Sequence, residues 1–100
     1  LLNIERVIGT GSADHIIGAA ADEELYGGGG DDILEGAAGA DLLDGGAGID
    51  TADYSNSAQG VTVDLALGTG LGGDAQGDSL VGIKIAGFKR RGYTAGRSDR

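Results

Sequence analysis

Apolar residues recur along the first half of the chain once every nine positions, and glycine and acidic residues fill most of the places between them. From Gly9 to Asp53 the chain divides without a gap into five nonamers, each of which begins with glycine. The eighth position holds Ile16, Leu25, Leu34, Leu43 and Ala52. One apolar residue in nine is too sparse for an amphipathic helix or a lone strand. The period therefore predicts tight turns that alternate with short strands, each strand with one inward side chain that only stacked units can bury.

The sixth position of each nonamer is acidic; it holds Asp14, Glu23, Asp32, Asp41 and Asp50. Stacked turns would place these acids about 5 Å apart, which is the separation of neighbouring strands. Two carboxylates at that distance repel by about 3 kcal/mol at an effective dielectric constant of roughly 20. We therefore expect a cation between them. Calcium suits the position better than magnesium, because it accepts carboxylate and carbonyl oxygens with flexible geometry.

The clearest nonamer, Gly27 to Glu35, reads GGGGDDILE, and Gly36 to Asp44 and Gly45 to Asp53 follow the same frame. This pattern resembles the RTX, or hemolysin-type, calcium-binding repeat G-G-x-G-x-D-x-U-x. The resemblance implies an all-β fold, a right-handed parallel β-roll with two nonamers per coil, so that each nonamer stacks on the second one along the chain. It also implies that calcium ions lie between the stacked turns.

The resemblance assigns the calcium ligands to the acids of stacked turns and to turn carbonyls. Asp32 and Asp50 would share one ion, Asp14 and Asp32 a second, and Glu23 and Asp41 a third. The turn residues that complete the candidate sites are Gly27, Gly28, Gly29, Gly30, Asp31, Gly36, Gly39, Gly45, Gly46 and Gly48. Calcium is the cofactor that this resemblance implies.

Two other interpretations of the same residues carry less weight. Tracts of Gly, Ala and Asp also form flexible linkers, but a linker has no reason to keep a nine-residue phase. A catalytic role is not indicated, since His15 is the only histidine, there is no cysteine, and no serine has a second histidine to pair with. His15 falls on the seventh position, where we expect its side chain to face solvent.

The net charge of −9 is unevenly distributed, with −14 on residues 1–83 and +5 on residues 84–100. The acidic body argues against nucleic acid and anionic membranes as partners, and no apolar run is long enough to insert into a membrane. A weakly hydrophobic chain with such self-repulsion is expected to stay disordered without calcium. Metal binding would then supply folding free energy.

The residues outside the nonamers predict a lead-in strand at 1–8 and a spacer at 54–83. Within the spacer, Val61 to Leu67 alternates like a half-buried strand, and Gly68 to Gly73 is predicted to be a loop. Gly73 to Val81 is a degenerate sixth nonamer, with Asp78 in the acidic position. Since Ala52 is a small residue in the inward position, we expect the strand at the end of the regular nonamers to fray or change direction.

Residues 84–100 are basic and out of phase with the repeat. We interpret them as a disordered tail or as the product of a coding-frame shift. Because the chain starts at Leu1 rather than Met, we interpret it as a fragment of a larger bacterial secreted protein. The RTX resemblance implies export through a type I secretion system to a calcium-rich exterior. The parent could be an RTX enzyme or toxin (a protease, lipase, epimerase or cytolysin), or a long surface adhesin built of many such blocks.

Overall fold

The computed structural model describes residues 5–57, 60–87 and 94–95. These residues form short strands and one 3-10 helix, Gly73–Ala75. The strands are β1 (Glu5–Ile8), β2 (His15–Ile17), β3 (Glu23–Tyr26), β4 (Ile33–Glu35), β5 (Leu42–Asp44), β6 (Asp50–Asp53), β7 (Thr62–Asp64), β8 (Thr69–Leu71), β9 (Ser79–Val81), β10 (Ile83–Gly87) and β11 (Thr94–Ala95). No α-helix occurs in the described residues, and so none of them belongs to a helix long and apolar enough to cross a membrane.

Successive strands of the repeat alternate between two sheets. The first sheet has the order β1-β3-β5-β9-β8-β7-β11, and the second has the order β10-β6-β4-β2. Strands two nonamers apart pair in parallel; for example, His15 lies beside Ile33, and Ile33 beside Thr51. Each step moves 18 residues along the chain and keeps the side-chain phase. The prediction of an all-β parallel β-roll is confirmed.

The side chains at the eighth position form the core between the two sheets. Leu25, Leu34, Leu43 and Ala52 are fully buried, and Ile16 is 9% exposed at the first coil. Val7 packs against this core from β1. Burying a leucine completely contributes roughly 1.5–3 kcal/mol, so stacking supplies what no single nonamer can. The inward residues predicted from the period are thereby confirmed.

The roll does not fray at Ala52, so the part of the expectation that predicted fraying is wrong. β10 pairs in parallel with β6 and covers it, with Ala86 beside Ala52. The core continues beyond Ala52 with buried residues that follow the nonamers, namely Tyr54, Val61, Val63, Ala75, Leu80 and Ile83. The sixth nonamer thus completes a third coil, because its strand β9 stacks on β5 with Leu80 beside Leu43.

The spacer forms an antiparallel unit at the end of the first sheet. β7 lies within the strand predicted at Val61 to Leu67, and it pairs antiparallel with β8. The prediction of a loop from Gly68 to Gly73 is wrong in part, because β8 occupies Thr69 to Leu71. β8 was missed because Thr-Gly-Leu carries no alternation of its own; its pairing with β7 and β9 defines the strand.

The basic segment at 84–100 is described only at residues 84–87, which belong to β10, and at 94–95, which form β11. β11 pairs in parallel with β7. The prediction of a disordered or frame-shifted tail otherwise falls on 88–93 and 96–100, which lie outside the described residues. The division of the chain at residues 8, 53 and 83 stays a prediction.

Candidate metal sites

The acids of the sixth position line the two edges of the roll in two rows. Row A contains Asp14, Asp32 and Asp50, whose turns lead into the second sheet. Row B contains Glu23, Asp41 and Asp78, whose turns lead into the first sheet. The structure therefore brings together the three pairs expected from the sequence. It adds a fourth pair, Asp41 with Asp78, that the sequence indicated only weakly.

One oxygen of each later acid accepts a hydrogen bond from the backbone of the coil before it. In row A, Asp14 N donates to Asp32 Oδ1 at 2.8 Å, and Asp32 N donates to Asp50 Oδ1 at 2.8 Å. In row B, Glu23 N donates to Asp41 Oδ1 at 3.0 Å, and Asp41 N donates to Asp78 Oδ1 at 2.7 Å. These bonds fix the carboxylates against the turns and aim the second oxygen of each one.

The second oxygen has no partner in three of the six acids. Asp32 Oδ2, Asp41 Oδ2 and Asp50 Oδ2 are buried and receive no hydrogen bond. An ionised carboxylate oxygen that is buried without a partner is strongly unfavourable unless a cation compensates it. These three oxygens therefore satisfy the first requirement of a metal site.

In the other three acids, protein donors already satisfy the second oxygen. Thr10 N donates to Asp14 Oδ2 at 2.8 Å. Ala19 N donates to Glu23 Oε1 at 2.8 Å and to Oε2 at 3.0 Å. The Tyr54 hydroxyl donates to Asp78 Oδ2 at 2.7 Å. Asp14, Glu23 and Asp78 therefore need a cation less than Asp32, Asp41 and Asp50 do.

The glycine at the first position leaves room for these oxygens. A Cβ on Gly36 would lie 2.5 Å from Asp41 Oδ2, and one on Gly27 would collide with Asp32 Oδ2. The Gly27 Cβ position also lies 2.9 Å from Gly45 O, a carbonyl of the next coil. A carboxylate oxygen and a carbonyl oxygen therefore converge where a side chain would otherwise be. This donor set fits a hard cation such as calcium.

The turns that begin at Gly27, Gly36 and Gly45 take left-handed backbone at their second and fourth positions. Gly28 and Gly30 have φ of 83° and 79°, and Gly46 and Gly48 have φ of 74° and 91°. The nonamer between them has alanine at the second position, and Ala37 keeps φ at 65°. A residue with a Cβ holds this conformation at a cost of about 1–2 kcal/mol. The turn at Gly36 therefore keeps the left-handed backbone although its second position is alanine.

The acids at the fifth position make a separate set of contacts. Asp31 Oδ1 accepts from Ile49 N at 2.9 Å, and Asp22 Oδ1 accepts from Ala40 N at 2.8 Å, so each one braces the next coil. Asp31 was among the candidate site residues, whereas Asp22 was missed because its turn lacks two of the repeat glycines. A cavity of about 190 Å³ lies beside row B and is lined by Asp22, Glu23 and Asp41 among others.

Burial raises the pKa of three acids in the rows, Asp41, Asp50 and Asp78. Burial, followed by the neighbouring Asp78 carboxylate, raises the pKa of Asp41 to about 8. Burial also raises the pKa of Asp50 above its usual range and that of Asp78 to about 6. Without a cation, burial therefore favours the protonated form of Asp41, Asp50 and Asp78 relative to an exposed carboxyl. A bound dication would favour the ionised form.

A parallel roll of glycine-rich turns, edged by rows of buried carboxylates, defines a metal-binding β-solenoid. The model of the RTX calcium-binding nonapeptide repeat matches residues 3–34 and 17–52 in four copies. The chain belongs to this family of calcium-binding repeats, whose members are typically secreted bacterial proteins and whose repeat is not catalytic. Searches of the curated proteins and of the solved structures returned no match.

Proposed function

We propose that the chain binds calcium between stacked turns and that this binding drives the folding of a secreted protein segment. The observation that carries the proposal is the set of three buried oxygens without partners, on Asp32, Asp41 and Asp50. Each belongs to an acid whose other oxygen is already fixed by a backbone N–H group. The unpartnered oxygens are therefore pre-organised for a cation.

We assign the ligands by row. In row A, Asp32 and Asp50 hold one ion, and Asp14 and Asp32 hold a second. In row B, Glu23 and Asp41 hold a third. The supporting carbonyls come from the glycine-rich turns that begin at Gly27, Gly36 and Gly45. Bound calcium supplies the positive charge that neutralises neighbouring carboxylates, which repel by about 3 kcal/mol per pair at roughly 5 Å.

We expect row A to bind calcium more tightly than row B. Asp32 and Asp50 both present an unpartnered oxygen, and their turns keep glycine at the first, second and fourth positions. Of the Glu23–Asp41 pair in row B, only Asp41 presents an unpartnered oxygen, because Ala19 N already donates to the Glu23 carboxylate. We therefore expect the Asp32–Asp50 site to fill before the Glu23–Asp41 site.

Folding follows from the same electrostatics. Residues 1–83 carry a net charge of −14, and a chain of this kind cannot collapse against its own repulsion. Bacterial cytosol is poor in free calcium, so the chain would stay unfolded there and fold outside the cell. Passage through a type I secretion system would suit an unfolded chain. The segment would then stabilise a larger RTX enzyme, toxin or adhesin, and the gene sequence upstream discriminates among these parents.

Far-UV circular dichroism with added calcium, magnesium and chelator tests the proposal. We expect coil in chelator, β signal with calcium and little change with magnesium. Asp32→Asn keeps the acceptor for Asp14 N but removes a charged ligand, and it should raise the calcium midpoint at least tenfold. Asp64→Asn, which removes the same charge from β7, should leave the midpoint unchanged. A β signal in chelator, or equal midpoints for the two variants, would overturn the proposal.

A further inference from the structure

A second group of potential ligands lies on the second sheet, away from the acid rows. His15 on β2, Glu35 on β4 and Asp53 on β6 each offer one ligand atom, and these atoms all lie within 4.8 Å of one another. They occupy the seventh and ninth positions of their nonamers, on the sheet face opposite the eighth-position core. The parallel pairing of β2, β4 and β6 brings them together.

The Glu35 carboxylate is buried although it has no cationic partner in the described residues. Glu35 as a whole residue is only 7% exposed, and the salt bridge in the described residues joins Arg6 to Glu24 on the other sheet. The Asn56 amide donates to Glu35 Oε2 at 2.8 Å and so fixes the carboxylate. An outer hydrogen bond of this kind is typical of an oriented metal ligand.

Asp53 is held in the same way at the next strand. Its Oδ1 accepts from Ser55 N at 2.8 Å. The register that pairs Leu34 with Ala52 brings Glu35 and Asp53 side by side on adjacent strands. Like charges directly opposite on a sheet destabilise it. Two fixed carboxylates and one imidazole thus face a common point that lacks positive charge.

We propose that His15, Glu35 and Asp53 bind a divalent transition-metal ion, for which Zn²⁺ is the best match. An imidazole nitrogen suits zinc, copper, iron or nickel, whereas calcium and magnesium take oxygen ligands. Two carboxylates balance the charge of a dication. Ligands at 2.0–2.2 Å from zinc lie at most about 4.4 Å apart, so exposed His15 closes the site by a small change of rotamer. This site uses none of the proposed calcium ligands, but it rests on the proposed function, because the roll that brings its residues together is proposed to fold with calcium.

The test is a calorimetric titration of Zn²⁺ into the full chain with calcium in excess, so that calcium occupies the acid rows. We expect one equivalent of zinc to bind. His15→Ala and Asp53→Asn should each weaken binding at least tenfold. The matched control is Asp44→Asn, which changes the ninth position on the other sheet. Asp44 Oδ1 likewise accepts from the N–H two residues on, Gly46 N at 3.0 Å, and its loss should leave zinc affinity unchanged.

A second readout keeps the zinc site distinct from the calcium sites. His15 is the only histidine in the chain, so its imidazole resonances report this site alone. In the calcium-loaded chain, zinc should shift them, whereas further calcium should not. Three outcomes would each overturn the proposal. They are an absence of zinc binding, zinc binding that is unaltered in His15→Ala, and imidazole resonances that do not shift with zinc. Because the His15 side chain is exposed, its replacement should leave the circular dichroism of the chain unchanged.

Discussion

The Tyr54 hydroxyl lies 2.7 Å from Asp78 Oδ2 and donates to it, whereas the corresponding oxygen of Asp41, one coil earlier, has no partner. Tyr54 is 1% exposed, and burial together with the Asp78 carboxylate raises its pKa well above the usual range. The hydroxyl therefore stays protonated and available as a donor. A neutral side chain thus satisfies, at the end of row B, the kind of oxygen that we propose calcium satisfies within the rows.

We predict that Tyr54→Phe destabilises the calcium-free roll by about 1–3 kcal/mol, because it leaves Asp78 Oδ2 buried without a donor. The loss should be smaller in calcium, since the freed oxygen becomes a ligand beside Asp41. Urea unfolding measures the value in calcium. Because the calcium-free chain is expected to be coil, its value is measured in chelator by titration with a folding osmolyte such as trimethylamine N-oxide. Tyr26→Phe removes a hydroxyl that donates to Glu24 at 3.2 Å on the half-exposed face and serves as the control. An equal loss for Tyr54→Phe in the two conditions would contradict the prediction.

Gly27→Ala should weaken calcium binding without preventing stacking of the roll. The new Cβ would occupy the place of Asp32 Oδ2 and would lie 2.9 Å from Gly45 O. We expect the calcium midpoint in circular dichroism to rise about tenfold or more, equivalent to at least about 1.4 kcal/mol. The control is Gly11→Ala, since a Cβ there meets nothing within 4 Å. Similar midpoints for the two alanine variants would show that the space at Gly27, beside Asp32 Oδ2 and Gly45 O, does not hold the ion.

Ala37→Gly should stabilise the folded chain. Ala37 has φ of 65°, a conformation that glycine adopts without strain. We expect a gain of about 1 kcal/mol in the free energy of unfolding, measured by urea in calcium. Ala38→Gly, one residue later in the same turn, should instead lose about 0.5–1 kcal/mol through extra freedom of the unfolded chain. A loss in both variants would mean that the turn does not strain Ala37.

The calcium-free roll should become more stable as the pH falls. The pKa of Asp41 is raised from 3.8 to about 8 in the fold, so the folded state binds more protons than the unfolded state between these values. Its unfolding free energy therefore falls as the pH rises through this window and is recovered on acidification. With calcium bound, the roll should instead become less stable as the pH falls, because protons compete with the ion for the carboxylates. Urea unfolding in calcium and osmolyte-induced folding in chelator, each at about pH 5 and about pH 8, distinguish the two cases.

The Asp41→Asn variant provides the control for this pH dependence. It keeps an oxygen to accept from Glu23 N but no longer titrates. The slope of calcium-free stability against pH should therefore be shallower than in the parent. A slope that is unchanged in Asp41→Asn would assign the effect to other acids.

The regular part of the roll could be predicted from sequence because its information is local. Leu25, Leu34 and Leu43 all point inward because each holds the eighth position of its nonamer. An 18-residue step preserves both their phase and that of Asp32 and Asp50. Once one coil is specified, the next repeats it. The acids of the rows, and the turn glycines that make room for them, follow from the same frame.

The third coil of row B could not be predicted in this way. Asp41 and Asp78 are 37 residues apart, not 18, because a hairpin intervenes between the two turns. The frame from Gly73 to Leu80 did signal another nonamer, but nothing local indicates that β9 returns to β5. The role of Tyr54 is also set by tertiary contacts, since its hydroxyl reaches a residue 24 positions away.

The hydrogen bonds along the two rows all point the same way, from the N–H of the earlier coil to the carboxylate of the later one. The roll therefore has a direction, and its two ends present different hydrogen-bonding groups to an added coil. A coil joined before the turn of Asp14 needs only to present a backbone amide in register, and its composition is otherwise free. After Asp50 the chain itself supplies β10, in which Ile83 lies beside Asp50, so that end of the second sheet is already covered without a further acid. In the described residues, another coil can therefore pair with the nonamer strands of the second sheet only at the open edge of β2.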